Sequence, residues 1–286
     1  MSATVLDTPD ATTQLHDWLA GFQRVFVLTG AGISTGSGIP DYRDANGDWK
    51  RAAPVTWQAF TGDPAVYRRY WARSFVGWPK FSVARPNAAH CALATLEHDG
   101  PVTTLLTQNV DGLHQAAGSR RVIDLHGRLD QVSCLSCGHL TPRDALQPRL
   151  IADNPHWHPG DAAMAPDGDA DIAAEAEMIF VPPHCALCGG ALKPDVVFFG
   201  ENVPRARVQD AQTALDASDA MLVIGSSLMV YSGFRFAKMA ADAGLPLAIL
   251  NGGATRADTL ATLRLDAEIG TTLGALAPQA WTNRSR

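Results

Sequence analysis

The sequence predicts an α/β fold, a Rossmann-like doubly wound parallel sheet interrupted by two insertions. Three observations carry this reading. Short apolar runs alternate with amphipathic helical stretches, the first apolar run ends in a glycine-rich turn, and two segments of different composition break the alternation. Apolar strands alternating with helices read as βα units around a sheet buried on both faces.

In chain order, strand-like runs appear at VFVLTG (25–30), TTLLTQN (103–109), RVIDLHG (121–127), VVFFG (196–200), AMLVIGSS (220–227) and PLAIL (246–250). Helical patterns fall between several of them, at 87–98, 205–217 and 233–243. Residues 45–85 are aromatic-rich, with YRRYWARSFVGW at their centre, and read as a helical module. Residues 128–195 contain two Cys-x-x-Cys pairs and a Pro, Asp and Gly-rich stretch that reads as a loop. The expected division is therefore a discontinuous Rossmann-like domain (1–44, 86–127 and 196–286), a helical module (45–85) and a small cysteine-bearing domain (128–195).

Composition bounds the function. The chain has 286 residues, is 46% hydrophobic and 18% charged, and carries a formal net charge of -6. That charge predicts no nucleic-acid partner. No apolar run reaches the roughly 20 residues of a membrane helix, so no membrane association is expected. The start, MSATVLDTPDATTQLHDW, lacks the basic and apolar regions of a secretory signal, and its acidity argues against a transit peptide. A cytoplasmic location is expected. Of the five cysteines, Cys134, Cys137, Cys185 and Cys188 form the two pairs. Without a secretory signal, metal ligation is favoured over disulfides. Four thiolates complete one tetrahedral Zn2+ shell and leave no open position, so the ion would be structural. Cys91, alone in a helical pattern, reads as a core residue.

The turn after the first strand carries Gly30, Gly32, Gly36 and Gly38. It supplies the first two glycines of a G-x-G-x-x-G fingerprint, but Thr35 stands at the third position. In place of a second strand ending in an acid comes IPDYRDANGDWK. A glycine turn by itself fits any βα corner. The wider pattern decides. GAGIS (30–34), GIPDYR (38–43), TQNVDGLH (107–114), LHG (125–127), the cysteine pairs, KPDVVFFGE (193–201), GSSLMVYSG (225–233) and LNGG (250–253) occur in this order. Together they resemble a sirtuin over nearly the whole chain, from Val25 to Ile269, and displace a dehydrogenase reading.

The resemblance implies an NAD-dependent protein-lysine deacylase. NAD, as co-substrate, is split between nicotinamide and ribose, and the ribose takes the acyl group from lysine. The products are nicotinamide, free lysine and O-acyl-ADP-ribose. His126 is implied as the base, with Asn109 and Asp111 as its catalytic companions. An imidazole suits proton removal near neutrality, although a histidine after a strand is in general more often structural. Dinucleotide contacts are implied at Gly30, Ala31, Gly32, Ile33 and Ser34, and at Pro40, Asp41, Tyr42 and Arg43 of a loop that closes over NAD. They continue at Gln108, Asn109, Val110 and Asp111 and at Gly225, Ser226 and Ser227. Asn251, Gly252, Gly253 and Ile269 would take the adenosine side.

The implied partner is an acylated-lysine protein or peptide, lying as an added strand between Phe199, Gly200 and Glu201 on one side and Val230 and Tyr231 on the other. Ser232 and Gly233 depart from the VYPA-like residues many sirtuins have there. RYWARSFVGWPKF (69–81), APDGD (165–169) and LKPDVVFFGE (192–201) resemble the class II branch, which includes the mitochondrial lipoamidase and deacylase sirtuin. Tyr70 and Arg73, three apart in a helical pattern, share one face and resemble the pair with which desuccinylating sirtuins hold a carboxylated acyl chain. The resemblance leaves carboxylated, lipoyl-type and simple acetyl groups open as substrates, with a preference for the carboxylated or lipoyl type expected. Two rival readings use the same residues: a protein ADP-ribosyltransferase at the same NAD site, and a zinc-ribbon module that merely binds NAD. A mere binder would have no use for His126.

Overall fold

The computed structural model describes residues 8–42, 44, 48, 50, 54–158, 168, 170 and 172–276. Helix α1 (Thr8–Leu19) leads into strand β1 (Val25–Thr29), and the glycine corner follows as two 3-10 turns, Ala31–Ile33 and Thr35–Ser37. The aromatic segment forms α2 (Trp57–Gly62) and α3 (Pro64–Phe81). Asp63 starts α3 by accepting from the Ala65 N–H at 2.8 Å, with Pro64 at the first helical position, where its missing N–H costs nothing. Helix α4 (Ala88–His98) opens on a capping box: the Asn87 side chain accepts from the first-turn amides while the Asn87 N–H donates to His90 Nδ1.

The chain continues through β2 (Val102–Thr107), α5 (Leu113–Ala116), β3 (Val122–Asp124), β4 (Gly127–Cys134), β5 (Leu140–Pro142), α6 (Arg143–Asp153), α7 (Ala174–Ile179) and β6 (Leu192–Val196). It closes with α8 (Arg205–Asp216), β7 (Ala220–Ile224), α9 (Tyr231–Asp242), β8 (Leu247–Leu250), β9 (Leu263–Leu265) and α10 (Ile269–Leu276).

Six strands form one sheet in the order β3-β2-β1-β7-β8-β9, every neighbouring pair parallel. Every residue of β1 and β7 is buried, and the period of two divides them between the faces. Val25, Val27, Leu222 and Ile224 pack with Leu15 and Leu19 of α1, Leu93 and Leu96 of α4 and Leu273 of α10. Phe26, Leu28, Met221 and Val223 pack with Leu215 of α8 and Phe236 of α9. Each large side chain so buried contributes about 1.5–3 kcal/mol. The strand order reverses direction between β1 and β7, and a doubly wound sheet opens its ligand crevice at such a point.

A second, three-stranded antiparallel sheet has the order β5-β4-β6. Its apolar residues Val132 and Leu192 share one core with Phe60, Tyr67, Tyr70 and Trp71 of the α2–α3 segment and with Trp157 and Phe180. The two segments that interrupt the main sheet thus bury their apolar faces against each other. The VVFFG run differs from expectation. Its first residue, Val196, ends β6 opposite Gly127, and Phe199 makes only an isolated bridge with Thr56. The apolarity of 196–200 serves this aromatic core and the cavity wall, not the parallel sheet. Cys91 is also a correction. Helix α4 buries Ala89, His90, Ala92, Leu93 and Leu96, which turns Cys91 outward, and it is exposed. Among the described residues no helix is long and apolar enough to cross a membrane.

Candidate active site

The loops leaving the C-terminal ends of β1, β2, β7 and β8, together with His126 beyond β3, surround a cavity of about 600 Å³. At the reversal point its floor is made of glycine backbone. A Cβ on Gly30 would stand 2.7 Å from Ser226 Cβ, and one on Gly32 would stand 2.9 Å from Gly225 Cα. Gly225 itself has φ +61, and its Cβ would meet the Ile33 N at 2.6 Å. The glycines therefore let the loop after β1 lie directly on the loop after β7, joined by a Gly32 N–H bond to the Gly225 carbonyl at 2.9 Å. That leaves room for a ligand's polar groups to approach backbone.

One hydrogen-bond network ties these loops to the loop after β2. Asn109 Nδ2 donates to the Gly30 carbonyl at 3.1 Å and to Ser34 Oγ at 3.0 Å. Ser34 in turn donates to Asp111 Oδ2 at 2.7 Å, and Asp111 Oδ1 accepts from the Leu113 N–H at 2.9 Å, at the start of α5. Asn109 and Asp111 thus fix the approach of two loops as well as facing the cavity. Gln108 accepts from Ser226 Oγ at 2.6 Å through Oε1. A Cβ on Gly233 would lie 2.4 Å from Gln108 Nε2, so Gly233 makes room for this side chain.

His126 is held at both ring nitrogens. Nδ1 lies 2.9 Å from the Gln108 carbonyl, which can only accept, so Nδ1 carries the proton. Nε2 is then the basic nitrogen, and the Ser232 hydroxyl donates to it at 2.8 Å. Burial pushes the imidazole down to about 4, against the opposing pull of the Gln108 carbonyl. The ring is neutral at physiological pH and turned by its neighbours like a general base. Ser232 and Gly233 are the departures from the family pattern, and that was the available sequence signal for both contacts.

Behind the loop after β2 lie two further histidines. His114 Nε2 bonds Thr29 Oγ1 at 2.9 Å, Thr29 donates to Thr107 Oγ1 at 2.9 Å, and Thr107 Oγ1 accepts the Asn109 N–H at 3.1 Å. His90 packs on His114 with ring centroids 4.9 Å apart. Burial lowers His90 to about 4 and His114 to about 3, the latter helped by its neighbour. Depressed folded pKa values mean that the unfolded chain binds the extra protons. Stability is therefore complete above about pH 6.5 and is lost as pH falls towards 4. At about 1.4 kcal/mol per pH unit for each ring, the pair should cost on the order of 4 kcal/mol between pH 6.5 and 5. Urea unfolding at pH 7 and pH 5 measures this. A His90→Gln, His114→Gln variant should show a flatter pH dependence, and an equal slope would remove these rings as the cause.

The dinucleotide residues expected from sequence line the cavity wherever they are described, with the exception of Ile33, whose side chain is buried in the sheet core. Asp41 forms an ion pair with Lys50 at 2.5 Å. Arg43 and most of the APDGD stretch lie outside the described residues. Of the expected acyl and peptide contacts, Tyr70, Phe199 and Val230 line the cavity, while Arg73, Gly200, Glu201 and Tyr231 do not. Arg73 Nε is 3.5 Å from Glu177 of α7, and Glu201 is held by Lys193 Nζ at 2.8 Å. Ile39, Phe81, Leu129, Val196 and Phe198 complete an apolar wall beside Tyr70 that sequence reasoning missed.

The four paired cysteines converge, with their sulfurs all within 4.8 Å of one another. Cys134 and Cys188 are 3.5 Å apart, Cys137 and Cys185 3.8 Å. Tetrahedral zinc with bonds of about 2.3 Å separates its sulfurs by about 3.8 Å, so the cluster fits a closed structural zinc site. The Cys137 and Ser136 N–H groups draw the Cys134 thiol down, whereas, against the pull of the Gly190 N–H, its sulfur neighbours push Cys188 up, a crowding of four sulfurs that a bound cation would relieve.

A sequence profile of the Sir2 family matches residues 30–232. The chain belongs to the Sir2 family. An NAD-dependent protein deacetylase of Xanthomonas campestris pv. campestris (strain 8004) is 62% identical over 252 residues, covering 88% of this chain and 86% of that one. The NAD-dependent protein deacetylase 2 of Bradyrhizobium diazoefficiens is 58% identical over 260 residues, covering 91% and 95%. Among solved structures, a Sir2 complex with a p53 peptide and NAD+ is 30% identical with a TM-score of 0.72, covering 93% of this chain and 96% of that one. Sir2 membership thus rests on the profile match and the identity with these relatives, and the four-cysteine cluster is consistent with it.

Proposed function

We propose that this Sir2 family member is an NAD-dependent protein-lysine deacetylase, with His126 as its base. The observation that carries the reading is the His126 ring, neutral and fixed between the Gln108 carbonyl and Ser232 on the wall of a cavity at the sheet's reversal point. NAD would supply the ribose that accepts the acyl group. The glycine cradle of Gly30, Gly32 and Gly225, with Ser34, Ser226 and Ser227, suits its phosphates. Gln108, Asn109 and Asp111 suit its ribose and carboxamide, and Asn251, Gly252, Gly253 and Ile269 its adenosine. Relatives named as NAD-dependent protein deacetylases support the activity, and a related structure with acetylated peptide supports the substrate class.

The finer reading is a deacylase of the class II branch that accepts apolar acyl groups longer than acetyl, of lipoyl type. The wall of Ile39, Tyr70, Phe81 and Leu129 supports it. A carboxylated acyl group draws no such support, because Arg73 already faces the Glu177 carboxylate. Mass spectrometry of peptides bearing acetyl, lipoyl, glutaryl or hydroxymethylglutaryl lysine, incubated with NAD, tests both levels. Acetyl and lipoyl groups should leave as O-acyl-ADP-ribose with free nicotinamide. Persistence of every acyl group would sink the deacylase reading, and adenylate label retained on protein would establish the transferase in its place. Removal of glutaryl in preference to lipoyl would overturn the finer reading alone.

A further inference from the structure

Beside the proposed peptide groove, the rim of the cavity carries two arginines without an acid. Tyr231 opens α9 and is 56% exposed. Arg235, four residues on and so on the same helix face, holds its guanidinium 5.2 Å from the Tyr231 ring centre. Arg256, from the loop after β8, lies 4.2 Å over the Phe234 ring and 5.9 Å from Tyr231. The Arg256 backbone is tied to the cavity wall: its N–H donates to the Ser227 carbonyl at 2.9 Å, and Nη1 reaches the Met229 carbonyl at 3.5 Å. Ser227, Met229 and Val230 all line the cavity.

The arginine and lysine ion pairs among the described residues fall elsewhere, and neither Arg235 nor Arg256 takes part in one. Arg235 Nε is moreover buried with no hydrogen-bond partner. A guanidinium stacked on a ring spends its face on the π system and keeps its N–H edge for a carboxylate. The chain as a whole carries a net charge of -6, which repels acidic peptides at long range. Two unpaired cations at the groove are a local reversal of that field. The facing wall does not cancel them, because the Glu201 carboxylate is engaged by Lys193 and by the Phe198 N–H at 2.8 Å.

We infer that Arg235 and Arg256 select substrates, drawing in acyl-lysine peptides that carry Asp or Glu within a few residues of the modified lysine, on the side that runs along α9. The inference rests on the deacetylase reading and adds the substrate's charge. Exposed pairs of this kind are screened and act chiefly on encounter, so the preference should appear in KM more than in kcat.

The test uses acetyl-lysine peptides identical except for Glu, Gln, Lys or phosphoserine at the flanking positions. Glu over Gln should raise kcat/KM by about three- to tenfold at about 0.05 M salt and much less at about 0.5 M. Arg235→Gln with Arg256→Gln should bring that ratio close to one. Arg235→Lys with Arg256→Lys, which keeps the charge, should retain most of it and so separates recognition from packing. Peptide Kd by fluorescence anisotropy reads the same preference independently of turnover. Equal handling of Glu and Gln peptides overturns the inference, as does a preference that survives the double Gln variant or one shown for phosphoserine only. If the Gln peptide is deacetylated without any preference, this inference fails while the deacetylase reading stands. If the binding preference is present and no peptide is deacetylated, the reverse holds.

Discussion

His126→Ala should lower acetyl-peptide turnover by about 10²–10⁴-fold, the usual contribution of a positioned general base. His126→Gln should fall as far, although its amide can still donate to the Gln108 carbonyl and so keeps the local fold. NAD affinity, measured calorimetrically, should change little in either variant, because the glycine cradle and the Asn109–Ser34–Asp111 network lie on other strands. The pH profile adds a second readout. With the free-enzyme imidazole held near 4 by burial, His126 is already deprotonated through the neutral range. The acidic limb of kcat/KM should therefore fall well below pH 6.5, provided it is measured at a pH where the protein remains folded. Retention of more than a tenth of the wild-type rate by either variant would remove His126 from the role of base.

Much of this site could be read from sequence because its signals are local. VFVL and AMLVI are apolar at every position, as strands buried on both faces must be. The cysteine pairs announce a metal by spacing inside each turn, and Gly30 and Gly32 announce a close backbone approach. What stayed hidden depends on partners distant in sequence. The three-apart spacing of Tyr70 and Arg73 says that they share a helix face, but not that Glu177 of α7 stands opposite the guanidinium. The need for glycine at position 233 comes from Gln108, across the cavity in another loop. Strand β4, GRLDQVSC, alternates imperfectly and shifts register between Arg128 and Val132, so periodicity could not separate it from a loop. Strand β9 is three residues, LRL, too short for a pattern. Residue type alone places Cys91 in the core, and only the helical phase of α4 tells which side it takes.

Loss of the metal should do more damage than loss of any one side chain in the cavity. A structural zinc site of four thiolates contributes on the order of 10 kcal/mol to the segment it closes. At about 2–4 °C per kcal/mol for a chain of this size, chelation, or Cys134→Ser with Cys188→Ser, should lower Tm by about 20 °C or more. Activity should fall with it, although none of the four cysteines lines the cavity. The connection is the antiparallel sheet. Strand β4 runs from Gly127, next to His126, to Cys134 in the cluster, and β6 returns beside it from Leu192 to Val196. At the His126 end the two strands meet so closely that a Cβ on Gly127, which has φ +81, would lie 2.0 Å from the Asp195 carbonyl. There the Val197 N–H donates to the His126 carbonyl at 2.8 Å. Release of the distal end frees both strands and so loosens the base and the Phe198–Phe199 wall together. Metal analysis should find one zinc per chain, and zinc returned to chelated protein should restore Tm and turnover in parallel. A chelated protein that keeps its Tm would show that the cluster stands without metal. One that loses Tm but keeps its turnover would break the proposed link between β4 and His126.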